Sequence, residues 1–284
     1  MSRPDEMTPA AWAAIGFEGV LILCGLWLTW RLVASPGARA AKAGARLAEW
    51  RVSPIDFASF LCFGFVGATA LSGAAGLIVR HVRMSPDAAT IVGSAVMEGG
   101  LLAGLAGYYL LALARLRAEP FRPALIPALR SGLVTFLIAM PLVFATSNVW
   151  ELALNKMGLP DEKQELVSIL ENTSSVALRW LFVAVATFLV PAAEELLFRA
   201  GLFRYLRTRV PRWAAIGSTS VLFGVLHVAW GDHMAGLPSL LPLIVLAVVF
   251  CLAYERTGTI ATTIVAHACF NLNTMLLVVT GTGS

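Results

Sequence analysis

Glu194 and Glu195 stand side by side just beyond the apolar run Trp180–Val190, and Arg199 follows one helical turn later. An ionised carboxylate in hydrocarbon costs several kcal/mol unless it is paired or hydrated, so an intramembrane acid marks a functional site by default. Residues four apart share a helix face, whereas neighbours point about 100° apart. Arg199 is therefore placed to pair with Glu195, and Glu194 looks along a different face. That geometry divides the two acids into a structural ion pair and a free acid or base. Pro191, one turn earlier, removes a backbone donor and predicts a kink that would open room for water beside Glu194.

Two further pairs of polar or aromatic residues occur at helical spacing. Phe223 and His227 are four apart, which sets an aromatic wall beside an imidazole. His267 and Asn271 are also four apart and project together from an apolar segment. Polar side chains can simply bridge helices in a membrane, so for His267 and Asn271 function and packing stand level when the pair is taken alone. Depth brings the groups together. At a rise of 1.5 Å per residue from the cytoplasmic ends of their spans, Glu194 lies ~18 Å deep, His227 ~22 Å, His267 ~14 Å and Asn271 ~20 Å. Three helices thus carry polar groups to one slab near mid-membrane. Cys269, between His267 and Asn271, is turned about 200° from His267 and is a poor candidate nucleophile. Glu18 and Glu98 are further intramembrane acids without an evident partner in the sequence, and His81 and His233 fall in loops.

The elements that must position these residues are membrane helices. The chain is 58% hydrophobic and only 13% charged, with a mean hydropathy of +0.78. A soluble domain carries about a quarter charged residues. Segments near 11–33, 55–79, 88–114, 128–150, 176–206, 212–230, 237–255 and 258–280 are each apolar enough to cross a core that takes roughly 20 residues. The expected fold is all-α: a polytopic membrane protein of about eight transmembrane helices enclosing a buried polar site. Residues 1–174 would form four helices with interfacial segments, and residues 175–280 the core that carries the site. The fifth segment is long enough to need tilt. Residues 38–52 and 157–170 read as amphipathic stretches lying on the membrane surface. Gly100 and Gly104 have the spacing that lets helices approach closely, and packing within one chain is the favoured use.

Arginine and lysine alternate between loops. Arg31, Arg39, Lys42, Arg46 and Arg51 fall in the first, Arg115, Arg117, Arg122 and Arg130 in the third, and Arg204, Arg207, Arg209 and Arg212 in the fifth. The positive-inside rule puts odd loops in the cytoplasm and both termini outward. The net charge of +4 belongs to these loops and gives no argument for nucleic acid. Cys24, Cys62, Cys251 and Cys269 lie in apolar runs without a CxxC pair, so neither a disulfide framework nor a thiolate zinc site is expected.

Glu194-Glu195-Leu-Leu-Phe-Arg199, Phe223-Gly-Val-Leu-His227 and His267-Ala-Cys-Phe-Asn271 resemble the three motifs of the CPBP family. These are intramembrane CAAX-type proteases, with bacterial relatives linked to bacteriocin processing and self-immunity. The resemblance covers about residues 175–280, and Tyr254-Glu-Arg-Thr-Gly258 fits it as well. It implies an intramembrane endopeptidase in which Glu194, assisted by His227, activates a water while His267 and Asn271 stabilise the oxyanion. Glu195, Arg199 and Phe223 would support them. Burial raises a carboxylate pKa toward the range a base needs, and donors preorganised in a dry site stabilise the transition state by several kcal/mol. The family has been called metalloprotease, and Glu194, His227 and His267 make a conceivable zinc set with a position open for water. No HExxH is present and Glu194 serves poorly as both ligand and base, so the cofactor lies between zinc and none, with the balance toward none. The expected partners are the lipid bilayer and a membrane-associated protein or peptide substrate, and the expected location is a bacterial cytoplasmic membrane. A non-catalytic immunity or scaffold protein of the same fold is the alternative. A proton-coupled transporter is the weaker one, since no internal repeat is visible.

Overall fold

A computed structural model describes residues 8–37, 46–79, 81, 84–116, 125–159, 170, 173, 175–229 and 234–280. Among these there is no strand. The expected amphipathic stretches fall largely outside them, at 38–45 and 160–169, as does His233. The helices are α1 (Pro9–Ala34), α2 (Pro54–Val79), α3 (Pro86–Leu116), α4 (Leu125–Met157), α5 (Val176–Arg207), α6 (Arg212–Val225), α7 (Leu240–Thr257) and α8 (Ile260–Val279).

Their starts follow from local chemistry. Thr8 caps α1 through Ala11 N–H, with Pro9 in the first turn where its missing donor costs nothing. Ser53 and Asp56 cap α2 reciprocally: the Ser53 hydroxyl accepts from Asp56 N–H and the Asp56 carboxylate accepts from Ser53 N–H. Ser85 and Ser175 cap α3 and α5 singly, their hydroxyls accepting from Ala88 and Leu178 N–H. Gly258 ends α7 in the left-handed region at φ 71°, and a Cβ there would stand 2.7 Å from the Arg46 carbonyl oxygen, so only glycine serves both needs.

Seven of the helices, all but α6, are long and apolar enough to cross a membrane. α6 has 14 residues, about 21 Å at 1.5 Å per residue and short of a ~30 Å hydrocarbon core. The segment read as a span over 212–230 thus stops at Val225. Its end tightens: His227 N–H bonds to Gly224 oxygen and Val228 N–H to Val225 oxygen, a three-residue winding that turns the chain at His227. Residues 46–53 form no helix. Their backbone is used elsewhere, with Arg46 and Leu47 N–H donating to the Glu255 carbonyl and Arg204 and Arg209 reaching the carbonyls of Ala48 and Val52.

The packing separates a lipid-facing front from a central core. α2 buries 6% of its apolar window and α7 39%, which places α7 at the centre. Phe136, Ala139 and Met140 of α4 meet Leu246 and Phe250 of α7 and Ala266 and Phe270 of α8. At the α2–α3 contact Gly67, Gly100 and Gly104 meet backbone to backbone, and a Cβ at any of them would strike the facing carbonyl. The glycine stripe therefore serves packing within the chain.

α5 is wound unevenly. π-helical turns over Val185–Leu189 and Leu196–Phe203 flank a six-residue α-helical piece, Val190–Glu195. Pro191 cannot donate to the carbonyl four residues back, and the wider winding ahead of it accommodates the ring. The two glutamates close the short α-helical piece, and Arg199 lies in the second π turn.

Candidate active site

Glu195 is fully buried and Arg199 pairs with it, Nη1 to Oε1 at 2.8 Å. The guanidinium also lies over the rings of Phe223 (4.4 Å) and Phe250 (5.3 Å), so its charge meets two π faces in addition to one carboxylate. Phe223 comes from α6 and Phe250 from α7, which makes Arg199 the pin that fastens α5 to both.

Glu195 has a second partner: His267 Nδ1 donates to the same Oε1 at 2.9 Å. His267 is thereby oriented from α8 with Nδ1 carrying the proton and Nε2 turned to Glu194 Oε2, 3.7 Å away. His227 is fixed in the same way. Its Nδ1 lies 2.7 Å from the Phe223 carbonyl, an acceptor only, so Nδ1 donates and Nε2 faces Glu194 Oε1 at 3.5 Å. The Phe223 ring packs against both imidazoles, at 4.5 Å from His227 and 6.1 Å from His267. One carboxylate therefore sits between the exchangeable nitrogens of two imidazoles, at separations somewhat longer than a direct hydrogen bond. The side chains of Glu194 and His227 keep 16% and 24% of their exposure, enough for water to reach them, while His267 keeps 5%.

The structure thus brings Glu194, His227 and His267 into one cluster, with Glu195, Arg199 and Phe223 behind it. Asn271 is placed differently. Its Nδ2 donates to the Ala186 carbonyl at 2.7 Å, in the first π turn of α5, where the wider winding frees carbonyls for side-chain donors. One amide hydrogen is thereby committed to holding α8 against α5. Cys269 packs against the Phe136–Phe250–Phe270 core, away from the acids. Among the described residues no three His, Cys, Asp or Glu side chains form a group that could hold one metal ion.

Two members of the surroundings carry no helical-spacing signal. Phe250 backs both Arg199 and His267, the latter at 5.6 Å. Glu98 of α3 keeps Oε2 shut from solvent with no hydrogen-bond partner among the described residues. A lone acid inside an apolar span marks it in the sequence, and Glu18 on α1 bears the same mark.

Fold and site together define an integral membrane protein of helices, built around a buried glutamate–histidine cluster. Its residues 176–273 match the model of the family described as type II CAAX prenyl endopeptidase Rce1-like, a family of proteases, and this supports membership of the CPBP family. The match runs from α5 into α8 and contains every member of the cluster. No curated protein and no solved structure matches the chain.

Proposed function

We propose that this protein is an intramembrane endopeptidase that hydrolyses peptide bonds of membrane-associated proteins or peptides. The observation that carries the reading is Glu194, a carboxylate set between the Nε2 atoms of His227 and His267 and still open to water. Glu194 takes a proton from a water that His227 Nε2 helps to hold, and the water oxygen attacks the scissile carbonyl carbon. The oxyanion that develops needs donors. Nδ1 of His267 already donates to Glu195, which orients the ring, so His267 donates to the oxyanion from Nε2 when the ring carries both protons. Asn271 supplies its second amide hydrogen from one turn further along α8. Glu194 then returns the proton to the leaving nitrogen.

Arg199 and Glu195 do no bond chemistry in this scheme. They fix His267 and, through Phe223, the turn that holds His227. Nothing in the site calls for a lipid-modified tail on the substrate, so the prenylated substrates of the type II CAAX endopeptidases are not carried over. The test is the production of new protein N-termini in membranes holding the full-length chain, compared with membranes holding Glu194→Gln. The reading expects a set of new N-termini present only with the wild type. Identical sets would sink it.

A further inference from the structure

Arg204, Arg207, Arg209 and Arg212 crowd the end of α5 and the turn into α6, and Glu255 takes up two of them, Arg207 and Arg212. Arg204 and Arg209 are held by neutral acceptors. Arg204 Nε donates to the Ala48 carbonyl at 2.9 Å. Arg209 donates to the Tyr205 carbonyl, the Thr208 hydroxyl and the Val52 carbonyl, and its guanidinium lies 3.7 Å over the Tyr205 ring. These bonds fix the position of both cations and leave their charge uncompensated.

Beside them is a cavity of about 440 Å³, lined by Glu49, Arg51, Val52, Ser53, Thr208 and Arg209. Its size falls in the roughly 300–1,000 Å³ of small-ligand sites. Its one lining carboxylate, Glu49, accepts from Arg51 Nε at 2.6 Å. Among the described residues nothing binds the two Nη groups of Arg51, whose side chain is 82% exposed. Asp56, the next acid along the chain, accepts from the Ser53 N–H and hydroxyl instead. Two arginines thus share the cavity with one glutamate, and the outer fork of Arg51 is open to an anion.

The cavity lies where the spans meet water. α2 begins at Pro54 and α5 ends at Arg207, and Phe57 stacks on Tyr205 at 3.8 Å, which brings the two ends to one level. Trp50 meets Phe57 edge-on, and Ile55 and Trp213, at the starts of α2 and α6, stay exposed. Tryptophan and tyrosine at helix ends mark the headgroup region of a bilayer. The anion abundant at that depth is a lipid phosphate, whose oxygens match the guanidinium fork.

We propose that this cavity binds the phosphate headgroup of an anionic glycerophospholipid, with the Nη groups of Arg51 on its oxygens and Arg209 as the second cation. Full-length protein stripped of lipid in detergent would be offered equal amounts of phosphatidylglycerol and phosphatidylcholine. Native mass spectrometry then counts what is retained, and the same samples are melted. The wild type is expected to prefer phosphatidylglycerol by about 10-fold or more, as hydrogen bonds to a charged group provide, and to melt higher with it. Arg51→Gln should lose most of that preference, and Glu49→Gln, which releases Arg51 Nε, should strengthen it. Arg130→Gln removes an exposed arginine of α4 outside the cavity and should change the preference by no more than about fivefold, the share of one surface charge. No preference in the wild type overturns the site, and so does an equal loss in Arg51→Gln and Arg130→Gln, which would show a diffuse attraction to basic loops. Inorganic phosphate added to the phosphatidylcholine sample should leave the melt unchanged. A rise equal to that from phosphatidylglycerol would make the ligand a free anion and overturn the lipid assignment. Neither readout depends on cleavage, so the result stands apart from the peptidase reading.

Discussion

Glu255 and Glu194 are both acids withdrawn from bulk water, and the protein surrounds them in opposite ways. At the end of α7, Glu255 receives Arg207 Nε on one oxygen at 2.8 Å and Arg212 Nε on the other at 2.6 Å, while its backbone carbonyl receives two N–H groups from residues 46 and 47. Every strong acceptor there is used, and the cluster ties the α5–α6 turn to α7 and to the chain leading into α2. In the middle of α5, Glu194 has two imidazoles at 3.5 and 3.7 Å, with Oε2 left without a donor. A buried acid with a fixed cationic donor on each oxygen is held in one state and serves architecture. One whose partners can each take or give a proton is held ready to change state, and that is what catalysis requires.

The contrast is broken most sharply at Glu194. Glu194→Gln keeps shape and volume but removes the base, so the yield of new N-termini should fall by about 100- to 10,000-fold while the melting temperature stays within a few degrees of wild type. A glutamine variant that still cleaves would show that an unsatisfied carboxylate is not a working one. Arg199→Met probes the opposite limit in the same helix. It leaves Glu195 buried with His267 as its remaining donor, and the loss of one partner of a buried pair costs about 3–5 kcal/mol. The expected result is a large drop in melting temperature and in folded yield; an unchanged melt would mean that Glu195 is stabilised by His267 alone. Asn271→Ala should separate two uses of one side chain. Loss of its bond to Ala186 costs about 0.6 kcal/mol, typical of an interhelical hydrogen bond in a membrane, whereas loss of an oxyanion donor lowers turnover about 100- to 1,000-fold. Turnover that falls only in proportion to stability would remove Asn271 from the catalytic group.

How far the sequence carried the site depends on whether each contact is local. The Glu195–Arg199 pair and the shared face of Phe223 and His227 are legible because four-residue spacing fixes them whatever the rest of the chain does. The Glu195–His267 and Asn271–Ala186 bonds join residues 72 and 85 apart, and no periodicity announces which of two adjacent acids a distant histidine will meet. Glu195 was legible as an arginine partner and only the fold makes it the orienting group of an imidazole as well. Pro191 signals a disturbance in α5, but a kink and a π turn are alternative outcomes of the same missing donor, and the choice is made by what packs around it. The seven long helices are legible from hydropathy. α6 is not, because its apolar residues run on past Val225 into a turn that Gly224 and His227 close through backbone bonds.

The smallest effect belongs to the saturated acid. Glu255→Gln preserves the shape of the cluster and removes its charge, leaving Arg207 and Arg212 facing a neutral amide. Both arginines stay partly solvated, with 30% and 42% of their side-chain exposure, so water replaces much of what is lost and the cost should be about 1–2 kcal/mol. The melting temperature should fall by a few degrees. Per folded molecule, the rate of N-terminus production should stay within about threefold of wild type, because a net loss near 1 kcal/mol at a remote anchor leaves the α5–α6 spacing intact. A Glu255→Gln protein that melts normally but no longer cleaves would contradict the distinction drawn between the two acids. It would mean that the Glu255 charge sets the approach of Glu194 to His227 through the turn between their helices, and that full satisfaction of a carboxylate does not confine it to architecture.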